Sequence, residues 1–195
     1  MTQQRSRLVV IGNGMAGCRA VEEILALAPG RFAITIIGAE PQVNYNRIML
    51  SPVLAGETTI DDIILNAREW YEENGIALIT GDPVVEIDRV KQTVTTRGGK
   101  TAAYDRLLIT TGSNPFVIPV PGHDKKGVMG YRDIADVEAM LDAIGDDYAE
   151  NNSAARGSIL ELYETVFDHK SFTGRSGTMF GFEGLGSIYW HMVSK

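Results

Sequence analysis

"LVVIGNGMAGCRAVEEIL" runs from Leu8 to Leu25, and its reading decides the fold. Leu8–Ile11 is apolar without alternation, as expected of a parallel strand covered on both faces. Gly12, Gly14 and Gly17 follow in the spacing G-x-G-x-x-G. Val21, Ile24, Leu25 and Ala28 recur at helical spacing until Pro29-Gly30 stops the helix. "AITII" (33–37) reads as a second buried strand, which completes a βαβ unit. In this context each glycine has a task. Gly12 allows a tight turn, Gly14 lets backbone approach a pyrophosphate, and Gly17 lets the helix lie close to the strand. Met15 and Ala16 open the helix, where free N–H groups and the positive dipole end face phosphates. Glu40 stands just beyond the second strand, where a carboxylate would bind the hydroxyls of an unphosphorylated ribose. The loop by itself does not separate NAD from FAD, and a close-packed strand–helix turn is the bland alternative.

Working outward, "NAREWYEENG" (66–75) reads as a helix closed by Gly75, and "IALIT" (76–80) as a third strand. Residues 41–60 read as a long loop with at most one helical turn. Residues 84–104 suggest an antiparallel meander with turns at 89–91 and 98–99. "RLLIT" (106–110) is another buried strand, followed by Thr111-Gly112 and an extended connector with prolines at 115, 119 and 121. Residues 133–144 read as a helix capped by Asp133. The fold class is therefore α/β: a Rossmann-like domain over 1–144, with a parallel sheet and an antiparallel β-meander layer. A linker and tail of different texture occupy 145–195.

Four stretches resemble two-dinucleotide flavoprotein reductases, and within them the N-terminal FAD region of NAD(P)H-dependent nitrite reductase large subunits. They are "VVIGNGMAGCRAVEEIL", "GAEPQVNYNRIMLSPVLAGE", "YDRLLITTGSNPFVIPVPG" and "GVMGYRDIADVEAML", together covering about residues 7–143. The resemblance implies FAD as cofactor, with Gly12, Gly14, Met15, Ala16 and Gly17 around its pyrophosphate and Glu40 on the adenosine ribose. It further implies Arg47 near the cofactor, Val85 meeting the adenine edge through its backbone, and Thr111 and Gly112 closing over the dinucleotide. On chemistry alone Arg47 could be a surface arginine, Val85 a strand-core valine and Thr111-Gly112 a strand-end turn. NAD(P)H, an iron–sulfur cluster and sirohaem belong to the full-length family. The domain for NAD(P)H is not seen here: after residue 144 no buried strand with a glycine fingerprint follows, and in "GFEGLGSIY" Tyr189 stands at the third glycine.

A net charge of −7 gives no general attraction for nucleic acid or an anionic membrane, and no run of 18 apolar residues suggests a spanning helix. Cys18 is the single cysteine, so a redox pair and a cysteine-held cluster are both excluded, and a reducing cytoplasm is the expected location. His123, His169 and His191 are scattered and make no metal site. The expected function is an FAD-binding oxidoreductase module passing electrons from NAD(P)H to a metal centre outside this chain. The alternatives are a truncated or fused remnant that binds a nucleotide weakly, and an NAD-binding dehydrogenase fragment. By itself the chain is expected to oxidise NADH slowly or not at all. Its expected partners are the dinucleotide and either a second copy, as a homodimer, or a redox partner subunit.

Overall fold

A computed structural model describes residues 5–144. In chain order the elements are β1 (Ser6–Ile11), α1 (Met15–Leu27), β2 (Phe32–Ile37), β3 (Asn44–Tyr45), α2 (Leu50–Leu54), β4 (Ile64–Asn66), α3 (Arg68–Glu73) and β5 (Ala77–Ile79). They continue with β6 (Val84–Asp88), β7 (Thr93–Thr96), β8 (Thr101–Ala103), β9 (Arg106–Ile109) and α4 (Ile134–Ile144). The central sheet has the order β5-β2-β1-β9, and every pairing in it is parallel. Val9 pairs with Thr35 on one side and with Leu107 on the other, so the two strands of the βαβ unit are neighbours, as expected.

Successive side chains of β1 point to opposite faces, and both faces are covered. Leu8 and Val10 pack with Cys18 and Val21 of α1, Ile34 and Ile36 of β2, and Tyr71 of α3. Val9 and Ile11 pack with Ile37, and with Val94 and Tyr104 from the meander side. This is why the strand carries no polar alternation. A third cluster joins Tyr45, Leu50, Val53 and Ile63 to Ile134 and Val137 of α4.

The meander is a separate antiparallel sheet in the order β6-β7-β8. Its first turn is held by Asp88, whose Oδ1 accepts the N–H groups of Val90 and Lys91 at 2.9 Å each. The register slips between Val84 and Glu86, which leaves Val85 on a bulge. The Val85 side chain is 59% exposed, so its reading as a strand-core valine fails.

The chain between residues 41 and 66 is more ordered than a loop. It contains β3, a 3-10 turn at Arg47–Met49, α2, a second such turn at Asp61–Ile63, and β4, with β3 and β4 paired antiparallel. Asn66 closes β4 instead of opening a helix, and α3 starts at Arg68. Residues 111–120 carry no regular structure, as their prolines suggested. Asp133 does cap α4: its Oδ1 accepts the Asp136 N–H at 3.0 Å, while the Asp136 carboxylate accepts the Asp133 N–H at 3.2 Å. This is a capping box built from two aspartates. The expectations for 145–195, together with His169 and His191, lie outside the described residues. Among the described residues no helix is long and apolar enough to cross a membrane, and no group of three or more His, Cys, Asp or Glu could hold a metal ion.

Candidate functional site

At the carboxyl ends of β1, β2 and β9 the glycine loop borders a cavity of about 360 Å³. This is the edge of a parallel sheet where α/β folds bind ligands. Gly12 turns the chain at φ +115°, and its N–H donates to Ile37 O at 2.8 Å. A Cβ at Gly12 would lie 2.3 Å from Thr110 O, and one at Gly17 would lie 2.6 Å from both Gly12 O and Thr110 Oγ1. Thr110 is the reason both must be glycine: its hydroxyl reaches the carbonyls of Ile11 and Gly12 at 3.1 and 3.2 Å and clamps β9 to the loop. Gly14 differs, because a Cβ there would meet nothing within 4 Å. It is the N-cap of α1, and no side chain caps the helix. The first N–H groups of a helix have no partner within it, and here they open beside a cavity lined by Gly14, Met15 and Ala16.

Glu40 lines the same cavity and is held from two sides. The Tyr45 hydroxyl donates to Oε2 and Arg47 Nη2 donates to Oε1, both at 2.6 Å. Arg47 Nη1 also donates to Arg132 O at 2.8 Å, and its guanidinium lies over the Tyr45 ring, 5.2 Å from the centroid. Burial and the bond to Glu40 push the Tyr45 phenol well above its ordinary value, so it remains a donor. Burial works against the Arg47 charge, but its hydrogen bond to Glu40 together with the charges of Glu40 and its neighbours outweighs that and raises the arginine further. The carboxylate is thus fixed in direction, with about a third of its side chain exposed.

The opposite wall comes from residues 110–113 and Arg132. Gly112 has φ +71°, and a Cβ there would lie 2.9 Å from Arg132 Nη2. Arg132 Nη1 donates to Ser113 Oγ at 3.2 Å, and the Arg132 backbone N–H donates to Asp136 Oδ2 at 2.6 Å. The start of α4 therefore fixes the backbone from which this arginine reaches the cavity.

Of the sequence-predicted residues, Gly12, Gly14, Met15, Ala16, Glu40, Arg47, Thr111 and Gly112 line one cavity. Gly17 lies beneath it, against Gly12 and Thr110. Val85 is not in the wall; its neighbours Pro83 and Val84 are. Sequence reasoning missed Thr110, Tyr45, Arg132 and Asn13. The only signal for Thr110 was a hydroxyl residue closing a buried strand. Cys18 is fully buried, with its thiol raised by that burial and its Sγ 3.3 Å from Asn13 Oδ1, so it is a packing residue and not a reactive thiolate.

A family model described as pyridine nucleotide-disulphide oxidoreductase matches residues 6–153. The nitrite reductase [NAD(P)H] of Bacillus subtilis (strain 168) is 54% identical over 139 residues, which cover 71% of this chain and 17% of that protein. The assimilatory nitrate reductase electron transfer subunit of the same organism is 51% identical over 138 residues, covering 71% of this chain and 18% of the relative. The chain thus spans less than a fifth of the length of these relatives. Among solved structures, the NADH:rubredoxin oxidoreductase from Clostridium acetobutylicum superposes with a TM-score of 0.63 at 30% identity, over 72% of this chain and 36% of that one.

Proposed function

The chain belongs to the pyridine nucleotide-disulphide oxidoreductase family, and from that premise we propose that it is the FAD-binding module of an NAD(P)H-dependent oxidoreductase of the nitrite reductase large-subunit kind. The observation that carries this reading is the single cavity joining an uncapped helix N-terminus to a carboxylate held in a fixed direction. The residues present fit the adenosine diphosphate half of FAD. Gly14 leaves open the space that a side chain would fill, so the N–H groups at Met15 and Ala16 can receive the pyrophosphate. Gly12 and Gly17 set the loop's path. Tyr45 and Arg47 occupy one lone pair on each Glu40 oxygen, and the remaining lone pairs can accept the ribose hydroxyls.

Arg47 is engaged with Glu40, so the cation free to answer a phosphate is Arg132, whose guanidinium has only the neutral Ser113 as a side-chain partner among the described residues. Val85 stands at the register shift of the β6–β7 ladder, with no Cα partner of its own there, which supports its assignment to the adenine edge. Thr111 and Gly112 close the cavity from the end of β9. A flavin bound here would supply two-electron acceptance from NAD(P)H and delivery onward to an acceptor. The iron–sulfur cluster, the sirohaem and the NAD(P)H domain are assigned to the longer protein. A cytoplasmic location and a redox partner subunit complete the reading.

The test is titration of the 195-residue chain with FAD, followed by flavin fluorescence, with ADP as competitor. FAD should bind, and ADP should displace it. Binding of NADH with no binding of FAD would overturn the flavin assignment in favour of a plain NAD-binding domain.

A further inference from the structure

Gly12 and Gly14 cannot hold their own backbone conformation, because glycine is free in φ and has no side chain to anchor. Asn13, between them, carries the only side chain in that part of the loop. Its Oδ1 accepts a hydrogen bond from the Tyr71 hydroxyl at 2.9 Å and a longer one from the Cys18 thiol at 3.3 Å. The phenol is the stronger donor of the two. Tyr71 lies on α3, 58 residues along the chain, and is 1% exposed. Its oxygen also accepts the Asn44 backbone N–H at 3.3 Å, and its ring packs edge-on to Trp70. Gly38 leaves the room that the Asn13 side chain takes: a Cβ on Gly38 would stand 2.9 Å from Asn13 Cβ.

We propose that Tyr71 is a positioning residue for the nucleotide loop: its hydroxyl holds Asn13, and through Asn13 it sets where the Gly12–Gly14 backbone meets a pyrophosphate. This rests on the dinucleotide reading of the cavity. The Tyr71 ring contributes to the core beside Leu8, Val10 and Val21, while the hydroxyl holds Asn13 and accepts the Asn44 N–H. The two roles are therefore separable by removing one atom. Adenosine tests the ribose end held by Glu40, and ADP tests that end together with the loop.

The experiment is calorimetric and NMR titration of the 195-residue chain and its Tyr71→Phe variant with ADP and with adenosine. We expect ADP to bind roughly tenfold more weakly to the variant, the scale of one lost hydrogen bond, and adenosine to change by less than about twofold. Asn13→Ala removes the acceptor from the other side, together with the Cys18 and Gln42 contacts of that side chain, and should give a selective loss of ADP at least as large; it carries the test if Tyr71→Phe does not fold. The double variant should bind ADP no more weakly than Asn13→Ala alone, because the Tyr71 hydroxyl reaches the loop only through Asn13. Equal weakening of both ligands, unchanged ADP affinity in Tyr71→Phe, or additive losses would overturn the proposal. An unmodified chain that takes neither ligand would end the dinucleotide reading itself, whereas an unselective loss on a binding-competent background would end only the role of Tyr71.

Discussion

At Gly14 and Gly17 the same added methyl group should have opposite consequences. Gly17→Ala drives a Cβ to 2.6 Å from Gly12 O and Thr110 Oγ1, neither of which is the far end of a flexible chain. Overpacking of this kind costs about 1–3 kcal/mol, so thermal unfolding should move down by several degrees. Gly14→Ala meets open space at φ −91°, a conformation any residue adopts. Its stability should fall by less than about 1 kcal/mol, while FAD affinity drops because the methyl occupies the path of the pyrophosphate. Unfolding midpoints and FAD titrations of the two variants, measured side by side, check the pair; a Gly14→Ala chain with full affinity would count against the loop assignment. Glu40→Ala should weaken dinucleotide binding by about 1.5–3 kcal/mol, the scale of hydrogen bonds to a charged group. An acid just beyond a strand end is by itself expected to be exposed, with its loss tolerated by the fold. The structure changes that expectation, because Tyr45 and Arg47 both donate to it. A measurable loss of stability should therefore accompany the loss of affinity, and unchanged FAD binding by calorimetry would remove Glu40 from the site.

Between elements, the starts of β1 and β9 are tied by one ion pair. Arg7 donates to Asp105 from its backbone N–H at 2.7 Å and from its guanidinium at 2.7 and 3.2 Å. These bonds pull the Asp105 carboxyl from 3.8 down to about 2. A carboxyl lowered in the folded state binds protons more readily in the unfolded chain. Its contribution is present above the ordinary value of 3.8 and is lost as the pH falls through about 2. Asp105→Asn should therefore flatten the acid limb of the unfolding-midpoint curve between those values and fall increasingly below the parent as the pH rises through them. Parallel curves for the two proteins would show that the tie has no energetic effect. At the start of α4 the tie is local: the box of Asp133 and Asp136, whose Asp136 carboxylate also accepts the Arg132 backbone N–H. Asp136→Ala should cost about 1 kcal/mol of stability and weaken FAD binding, since the Arg132 N–H loses its acceptor. A stability loss with unchanged affinity would separate Arg132 from the cofactor. The Arg7–Asp105 tie could not be read from local patterning, because it joins residues 98 apart whose proximity depends on how distant segments pack, whereas the cap at Asp133 is a local signal legible in the sequence.

For the whole molecule, the parallel sheet, the meander and the cavity all lie within residues 5–144. We propose the domain boundary at 144 and expect a chain of residues 1–144 to unfold cooperatively and to hold ADP within about twofold of the 195-residue chain. Failure to fold, or loss of ADP, would place residues beyond 144 inside the domain. Local chemistry did determine much of this protein. The buried texture of 8–11 and 33–37, the glycine spacing and the alternation in 84–104 are short-range patterns, and each appeared in the structure as the element it implied. The βαβ unit also located the glycine loop and the acidic residue after β2. Tertiary structure decided the rest. Residues 41–66 have weak propensity and gain their short strands and turns only by packing Tyr45, Leu50 and Ile63 against α4. Thr110, Tyr71 and Arg132 enter the site across 98, 58 and 85 residues of chain, to Gly12, Asn13 and Arg47 respectively. Periodicity records which face of an element is buried, but it carries no information about which distant hydroxyl or guanidinium will stand opposite a given backbone atom.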